Sequence, residues 1–385
     1  MGDRDWKRRE FLQATSAWTG ATLGFGWATG FVRGQDSVPL RDVPWLADVQ
    51  QPPQPPVVLD PPLPALLSPP GAPVISTVEG WRPAREELRR KWLEFLGPMP
   101  ESRPELRVET VAEEQVDGVL RRRVRYRLEE DLAVEAYLLI PGESIPGRDA
   151  RGRRAGVVAL HPTTNDTIDE IAGVKGEAKN HLGLQLARAG FVVSCPLCFL
   201  WHNAPSLPAA VESFKARHPQ ALGMRKMLYD AQRGVDLLVA HPELVDPRRI
   251  GAVGHSLGAK ETLYLTAFDD RVRTGVFSEG GIGFPSTNWN ASWYLGKAIE
   301  QPGFPLNHAQ LLALIAPRPF LLLGGEAGPG AADGDRSWPY VEAALSVYRL
   351  HGTPSRLGLL NHREGHSLSA NSLVKVLDWL KTYTI

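Results

Sequence analysis

Short apolar runs alternate with amphipathic stretches along most of the chain, and this alternation predicts its fold class. Residues 85–96, REELRRKWLEFL, are typical of an amphipathic helix that Gly97-Pro98 ends. Strands are predicted at 106–116, 119–128, 132–140, 156–160, 191–194, 250–253, 274–277, 320–323 and 355–360, and further helices at 176–188, 225–240, 259–267, 309–315, 340–350 and 373–383. After residue 155 strands alternate with helices, which favours a mostly parallel, doubly wound sheet with helices on both faces.

The stretch from Gly254 to Gly258 joins a predicted strand to a predicted helix through a tight turn. Its central residue, Ser256, has a glycine two positions away on either side, as a strained strand-to-helix turn requires. Ligands bind such sheets at the carboxyl ends of the strands, which is where Ser256 is expected. We therefore interpret Ser256 as a candidate nucleophile.

A serine hydroxyl is a weak nucleophile until a base removes its proton, so a histidine should lie at another strand end. The loop after the last predicted strand contains two, His362 and His366. His366 is the preferred base because it follows a glycine in the loop before the terminal helix. His362 is expected to be structural.

Two places offer a carboxylate that could orient this histidine. Asp333 and Asp335, with Glu326 before them, follow the predicted strand 320–323, so the chain order would be serine, acid, histidine. Glu279 ends the strand directly after the serine's helix, and adjacent strand ends of a parallel sheet are close together. Both places stay open. For each acid taken singly, the alternative is a loop carboxylate that caps a helix or remains solvated.

Taken together, these motifs resemble α/β-hydrolases, and in particular glucuronoyl esterases and acetyl xylan esterase-like proteins of the dienelactone hydrolase group. The resemblance spans residues 81–385. Its further carriers are Lys260, four residues after the serine, the pair Asp270-Arg271, Glu279, and the segments 305–308 and 314–319. The resemblance implies an α/β-hydrolase fold, serine esterase activity on a carbohydrate ester, and contact of Lys260 with substrate; a lysine on the helix surface is the alternative for Lys260.

One position departs from that family. Glucuronoyl esterases have an arginine directly after the serine, whereas this chain has Leu257. The N–H of Leu257 is the predicted first donor to the oxyanion because it begins the helix after the nucleophile. Thr163 is the predicted second donor, since Pro162 before it lacks an N–H.

Aromatic side chains beyond the strand ends could stack on a sugar ring. The candidates are Trp201, Trp289, Trp293 and Trp338, of which Trp338 is the preferred one. Packing in the core or in a lid is the alternative for each of them.

Composition excludes several partners and cofactors. The 385 residues are 43% hydrophobic and carry 43 basic and 43 acidic side chains, so the chain can bury one large core and has no basic excess for nucleic acid. No cofactor or metal is expected, because Cys195, Cys198 and His202 are too few ligands for zinc. The expected partner is a small-molecule or oligosaccharide ester, and the oligomeric state is left open.

The N-terminus is expected to lie outside the catalytic core. Residues 7–12, KRREFL, precede a weakly apolar stretch, so residues 1–34 resemble a twin-arginine signal peptide and predict export to the periplasm or beyond without a stable membrane span. A basic tail before a buried helix is the alternative. Residues 35–80 are rich in proline and are predicted to be a linker or a strap over the surface, followed by the hydrolase domain, 81–385.

The sequence leaves three classes of function to distinguish. The first is a serine esterase for a carbohydrate ester, and the second is a dienelactone hydrolase-like or serine peptidase-like enzyme with the same machinery. The third is a binding protein with an inactive hydrolase fold, which is disfavoured because Ser256 and His366 are both present.

Overall fold

A computed structural model describes residues 42–69, 71–328 and 330–384. Its strands are β1 (Glu109–Val116), β2 (Val119–Glu129), β3 (Leu132–Pro141), β4 (Arg154–Leu160), β5 (Val192–Pro196), β6 (Val245–His255), β7 (Val272–Ser278), β8 (Phe320–Gly324) and β9 (Leu357–Asn361). Its α-helices are α1 (Val78–Leu96), α2 (Thr167–Ile171), α3 (Leu182–Arg188), α4 (Leu207–Arg217), α5 (Gly223–Val239), α6 (Leu257–Phe268), α7 (His308–Ile315), α8 (Trp338–Leu350) and α9 (Ala370–Tyr383).

The strands form a single sheet in the order β1-β2-β3-β5-β4-β6-β7-β8-β9. Strands β1, β2 and β3 pair antiparallel, β3 pairs antiparallel with β5, and the pairs from β5 to β9 are parallel. In β4, Val157 packs with apolar residues of α3 and α9, whereas the next residue, Val158, packs with those of α5. Helices therefore cover both faces, and the predicted mostly parallel, doubly wound sheet is confirmed.

Several predicted boundaries differ from the structure. Helix α1 starts at Val78, earlier than predicted, because the Thr77 side chain accepts a hydrogen bond from the Gly80 N–H at 3.1 Å. The predicted domain boundary at residue 81 thus falls inside this helix. The prediction of a helix from residue 176 is wrong, because Gly176 has φ +76° and the α-helix begins only at Leu182.

The segment before α1 crosses the surface and is anchored by specific contacts. Trp45 packs against Trp379 of α9 with ring centroids 6.0 Å apart. Asp42 accepts a hydrogen bond from the Tyr383 hydroxyl at 3.1 Å, and Gln50 donates to the Leu357 carbonyl at 2.8 Å. Residues 42–50 therefore tie the N-terminal side of the described chain to β9 and α9.

Two further predictions concern the N-terminus and membranes. The twin-arginine stretch lies outside the described residues. Within the described ranges, every helix is too short or too polar to cross a bilayer.

Candidate active site

Ser256 occupies a sharp turn between β6 and α6. Its backbone has φ 58° and ψ −115°, a conformation that L-residues rarely adopt. A Cβ at Gly254 would overlap with the Gly258 carbonyl, and a Cβ at Gly258 would overlap with the carbonyl oxygen of Leu160 at the end of β4. The two glycines thus let the turn close against the neighbouring strand, as the sequence predicted.

A cavity of about 280 Å³ opens beside this serine. Ser256, His255 and His366 line it together with the loop that follows β4, which contains Thr163. A larger groove of about 570 Å³ lies along α1 and residues 97–101, and its lining contains none of the predicted nucleophile, base or acid residues. The smaller cavity is therefore the candidate site, because it joins a concave surface to the predicted nucleophile and base.

Glu279 lies directly after β7 with its side chain fully buried between two histidines. Its Oε1 is 2.6 Å from Nε2 of His362, and its Oε2 is 3.8 Å from Nδ1 of His366. Neither contact has both the distance and the alignment of a regular hydrogen bond, as is common in free enzymes whose catalytic contacts tighten around substrate. Burial alone would raise the pKa of Glu279, but the two histidines outweigh burial and hold it below the ordinary value.

The two histidines differ in what they face. The Nδ1 of His362 accepts a hydrogen bond from the Glu364 N–H at 3.2 Å, so the neutral ring carries its proton on Nε2, facing Glu279. The His362 side chain is 7% exposed and does not line the cavity, whereas the His366 side chain is 28% exposed and does. Only His366 is thus positioned beside both the cavity and the acid.

The alternative acids are directed elsewhere. Asp333 is buried and accepts hydrogen bonds from the N–H groups of Gly281 at 2.6 Å and Ile282 at 2.9 Å, and from the Ser337 hydroxyl at 2.7 Å. It therefore supports the backbone just after Glu279 and does not contact a histidine. Asp335 accepts hydrogen bonds from Asn361 at 2.8 Å and from Arg363 at 2.9 Å, on the rim of the domain.

Glu326 shares the hydrogen-bond donors of Asp335. It also accepts hydrogen bonds from the Asn361 amide, at 3.0 Å, and from the Arg363 guanidinium. The structure thus brings Glu279 to the histidines and keeps the other three predicted carboxylates away from them.

The sequence analysis did not identify His255, the residue before the serine, as part of the site. Its ring centroid is 4.8 Å from that of His366, and its Nδ1 is 3.1 Å from the Ser278 hydroxyl. Burial, together with the nearby His366, lowers the pKa of His255 to about 4, so the ring is neutral at pH 7. It packs against His366 as an uncharged neighbour. Its place in the Gly-His-Ser-Leu-Gly stretch was the signal that could have indicated it.

The predicted oxyanion donors lie at two neighbouring strand ends. Leu257 is the first residue of α6, and the first N–H groups of a helix have no partner within it. The loop with Thr163 is held in place by the buried His161, whose Nε2 accepts from the Cys198 N–H at 3.1 Å and whose Nδ1 lies 2.8 Å from the Pro162 carbonyl oxygen. Burial lowers the pKa of His161 to about 4, so this ring is a neutral brace.

Lys260 is neither at the cavity nor on the helix surface. The residue is 4% exposed, its ammonium contacts the side chains of Thr287 and Asn288, and it lies 4.2 Å from the ring centroid of Trp289 and 4.4 Å from that of Tyr294. Burial lowers its pKa to about 7. The alternative of a lysine on the helix surface is wrong, and a contact with substrate would require these internal contacts to open.

The tryptophans also lie away from the cavity. Trp338 is the first residue of α8 and Trp289 lies in a loop, yet both are buried in the large core cluster between α1 and α8. Trp201 is half-buried and packs edge-on against His161. The preference for Trp338 as a sugar platform is therefore wrong, because its ring fills the core.

A glycine-rich loop after β8 encloses the acid and the base, and sequence analysis missed this role. A Cβ at Gly325 would lie 3.0 Å from Oε1 of Glu279 and overlap with the Glu364 carbonyl oxygen. A Cβ at Gly330 would lie 3.0 Å from Cβ of His366. The glycines that separate the acids in this loop thus leave room for Glu279 and His366.

Comparisons with known proteins support the fold. No family model matches the chain, and neither does any curated protein. A glucuronoyl esterase from Solibacter usitatus matches with a TM-score of 0.67 and 18% identity over 83% of this chain and 97% of its own. One from Teredinibacter turnerae matches with a TM-score of 0.62 and 19% identity over 83% and 88%.

A third solved structure broadens the resemblance. A proposed acetyl xylan esterase from Bacteroides fragilis matches with a TM-score of 0.57 and 16% identity over 74% of this chain and 76% of its own. The chain therefore has an α/β-hydrolase fold that resembles carbohydrate esterases in structure.

Proposed function

We propose that the protein is a serine-dependent carboxylic ester hydrolase that acts on an ester of a carbohydrate. One observation carries the proposal: Ser256, strained at φ 58°, shares a cavity with His366, and His366 contacts the buried Glu279. A nucleophile, a base and an acid from three strand ends are the parts that acyl transfer needs.

The reaction proceeds in two halves. Oγ of Ser256 attacks the ester carbonyl carbon while His366 accepts the hydroxyl proton, and the alcohol then leaves with that proton as the acyl-enzyme forms. Water next attacks the acyl carbon while His366 accepts its proton, and the acid is released as Ser256 regains a proton from His366. Glu279 stabilises the imidazolium in both halves through its charge.

The negative oxygen of each tetrahedral intermediate requires donors. The N–H groups of Leu257 and Thr163 are assigned this role, since the former begins α6 and the latter lies in the loop packed against Gly258. No arginine side chain follows the serine to assist them. Backbone donors alone therefore stabilise the intermediate in this assignment.

Two observations support a carbohydrate ester as substrate. The neighbours named above include two glucuronoyl esterases. Beside the two histidines and Lys179, the cavity is lined by hydroxyl, amide and carboxylate side chains among apolar ones. The twin-arginine pattern in residues 7–12 supports export, which would bring the enzyme to polysaccharide outside the cytoplasm.

The test is hydrolysis of three esters by the wild-type protein and by Ser256→Ala: an aryl acetate, an acetylated xylo-oligosaccharide and a glucuronate alkyl ester. We expect turnover of at least one carbohydrate ester, with kcat/KM above that for the aryl acetate, and loss of turnover in the variant. Equal rates in the wild-type protein and in a folded Ser256→Ala variant would refute the serine mechanism. Serine-dependent cleavage of the aryl acetate alone would refute the carbohydrate substrate.

A further inference from the structure

We propose that Glu170 and Asn180 form a subsite that binds hydroxyl groups of the sugar ring next to the ester; this inference rests on the proposed function. Both residues line the cavity that contains Ser256 and His366. Glu170 belongs to the short helix α2, and Asn180 ends the 3-10 helix Ala178–Asn180. Nδ2 of Asn180 donates to Oε1 of Glu170 at 2.9 Å.

The surroundings of Glu170 leave its carboxylate available to a ligand. The residue is 8% exposed, yet the lysines nearest to it in sequence are paired with other acids. Lys175 lies 3.0 Å from Asp169, and Lys179 lies 2.9 Å from Glu177. Among the described residues Asn180 is its only side-chain partner. Oε1 accepts the Asn180 hydrogen bond and Oε2 has no donor among the described residues, so Oε2 can accept a hydrogen bond from a hydroxyl group of a ligand in the cavity.

Lys179 also lines the cavity, but its charge is balanced by Glu177 at 2.9 Å, and the rest of the lining favours a sugar over a charged ligand. Thr164 and Ser367 add hydroxyl groups, and Ile171, Leu182 and Leu368 add apolar surface. A pyranose presents hydroxyl groups at its edge and C–H groups on its face, so it can satisfy both kinds of lining. The carboxylate disfavours an anion, and the free amide and hydroxyl groups suit a neutral polyol better than a cation.

The size of the cavity limits the ligand to about one ring. Its volume of about 280 Å³ lies at the lower end of the range for small-molecule pockets. Lys260, for which the resemblance implied a contact with substrate, is engaged with Thr287 and Asn288 inside the domain. The contacts to sugar hydroxyls are therefore assigned to Glu170 and Asn180, in the segment that follows β4.

The test compares Glu170→Ala, Asn180→Ala and the control Glu342→Ala, at an exposed position of α8, on a carbohydrate ester and on an aryl acetate. Hydrogen bonds to a charged group contribute about 1.5–3 kcal/mol, so kcat/KM for the carbohydrate ester should fall about 10-fold to 100-fold in the first two variants. The rate on the aryl acetate should stay within about twofold, and the control should match the wild type on both esters. Equal losses on both esters, or no loss on the carbohydrate ester, would overturn the subsite.

A binding measurement separates failure of the subsite from failure of the enzyme assignment. Saturation-transfer NMR with two neutral probes, methyl xyloside and the methyl ester of methyl glucuronoside, is applied to Ser256→Ala alone and combined with Glu170→Ala or with Glu170→Gln. We expect the single variant to bind a glycoside, the Ala combination to lose binding, and the Gln combination to bind more weakly than the single variant. If the Glu170→Ala combination loses glycoside binding but the wild type hydrolyses none of the esters, the subsite is kept and the esterase assignment is refuted. Serine-dependent hydrolysis with unchanged glycoside binding would refute the subsite alone.

Discussion

His362 lies closer to Glu279 than His366 does: its Nε2 is 2.6 Å from Oε1, whereas Nδ1 of His366 is 3.8 Å from Oε2. The buried carboxylate is thus held most tightly by a ring that does not line the cavity. This arrangement makes His362 a candidate positioning residue. Its Nε2 lies against one carboxylate oxygen, and the other oxygen faces the proposed base.

We predict that His362→Asn lowers kcat about 10-fold and leaves KM nearly unchanged. The shorter side chain would lose the close contact with Glu279, and once that contact tightens around substrate its loss should cost on the order of 1.5 kcal/mol, as for a hydrogen bond to a charged group. Without that donor the carboxylate acts more strongly on His366, so the acidic limb of the kcat/KM profile should move to higher pH. His362→Gln, whose amide can also donate, should recover part of the rate. An unchanged pH profile in a variant with lower kcat would mean that His362 acts on stability alone.

Glu279 and Asp335 should differ clearly in kinetics. Glu279→Gln should lower kcat by about 10³ to 10⁴, the loss that follows when the acid of such a triad is made neutral. Asp335→Asn should stay within about twofold, because its partners lie on the rim. Steady-state kinetics on one ester measures both, and a large loss in Asp335→Asn with a normal Glu279→Gln would reverse the assignment.

Asp333→Asn tests a structural role. The carboxylate accepts three hydrogen bonds within 2.9 Å. In an asparagine one of the two oxygens is replaced by an NH2 group, which would face a hydrogen-bond donor instead of accepting from it. We expect the free energy of unfolding to fall by about 1–3 kcal/mol, with kcat affected less than in Glu279→Gln. Urea unfolding followed by circular dichroism provides the measurement. Normal stability combined with lost activity would instead give Asp333 a direct role in the reaction.

Gly258→Ala should abolish activity, because the added methyl group would overlap with the Leu160 carbonyl and push α6 away from the loop that contains Thr163. The matched control is Gly152→Ala. Gly152 has φ +79° with open space around it, so its cost should be about 1–2 kcal/mol of backbone strain and no loss of rate. Comparable activity of the two variants would contradict the close approach of α6 to β4.

Glu261, buried in α6, should make stability depend on pH. Burial raises its pKa from the ordinary 4.5 to about 8, so between these values the folded protein keeps a proton that the unfolded chain releases. Its contribution to stability is therefore present below about pH 4.5 and is lost as the pH rises toward 8.

Glu261→Gln removes this proton uptake. The variant should lose less stability than the wild type from pH 5 to pH 8, by up to about 1.4 kcal/mol per pH unit at the steepest point. Some slope should remain, because burial also raises the pKa of Asp230 to about 7. Urea unfolding at several pH values, with the exposed Glu177→Gln as control, measures the difference. Parallel curves for the wild type and Glu261→Gln would contradict the prediction.

The type of sheet could be predicted from the sequence because the buried parallel strands are continuous apolar runs. The position of Ser256 was equally clear, since its flanking glycines are required by local geometry. The choice between Glu279 and Asp333 was not accessible, because both follow strands. What separates them is the backbone N–H groups of Gly281 and Ile282, which point at Asp333.

The burial of Lys260 was hidden from the sequence for a related reason. The residues that surround it come from the loop after β7, and no local pattern indicates that Trp289 and Tyr294 close over its ammonium. The prediction of a helix over 176–188 was wrong at its start because Gly176 has a positive φ, which only the fold reveals. Local patterns thus predicted elements, and long-range contacts decided the surroundings of individual side chains.

The contacts of residues 42–50 with β9 and α9 have a consequence for folding kinetics. The Val43 N–H and the Tyr383 hydroxyl are 3.4 Å apart and separated by 340 residues, so their contact closes one of the longest loops of the molecule. Such non-local contacts form slowly, and His366 lies in the segment between the two elements that they hold. During refolding, recovery of activity should therefore lag behind recovery of helical circular dichroism.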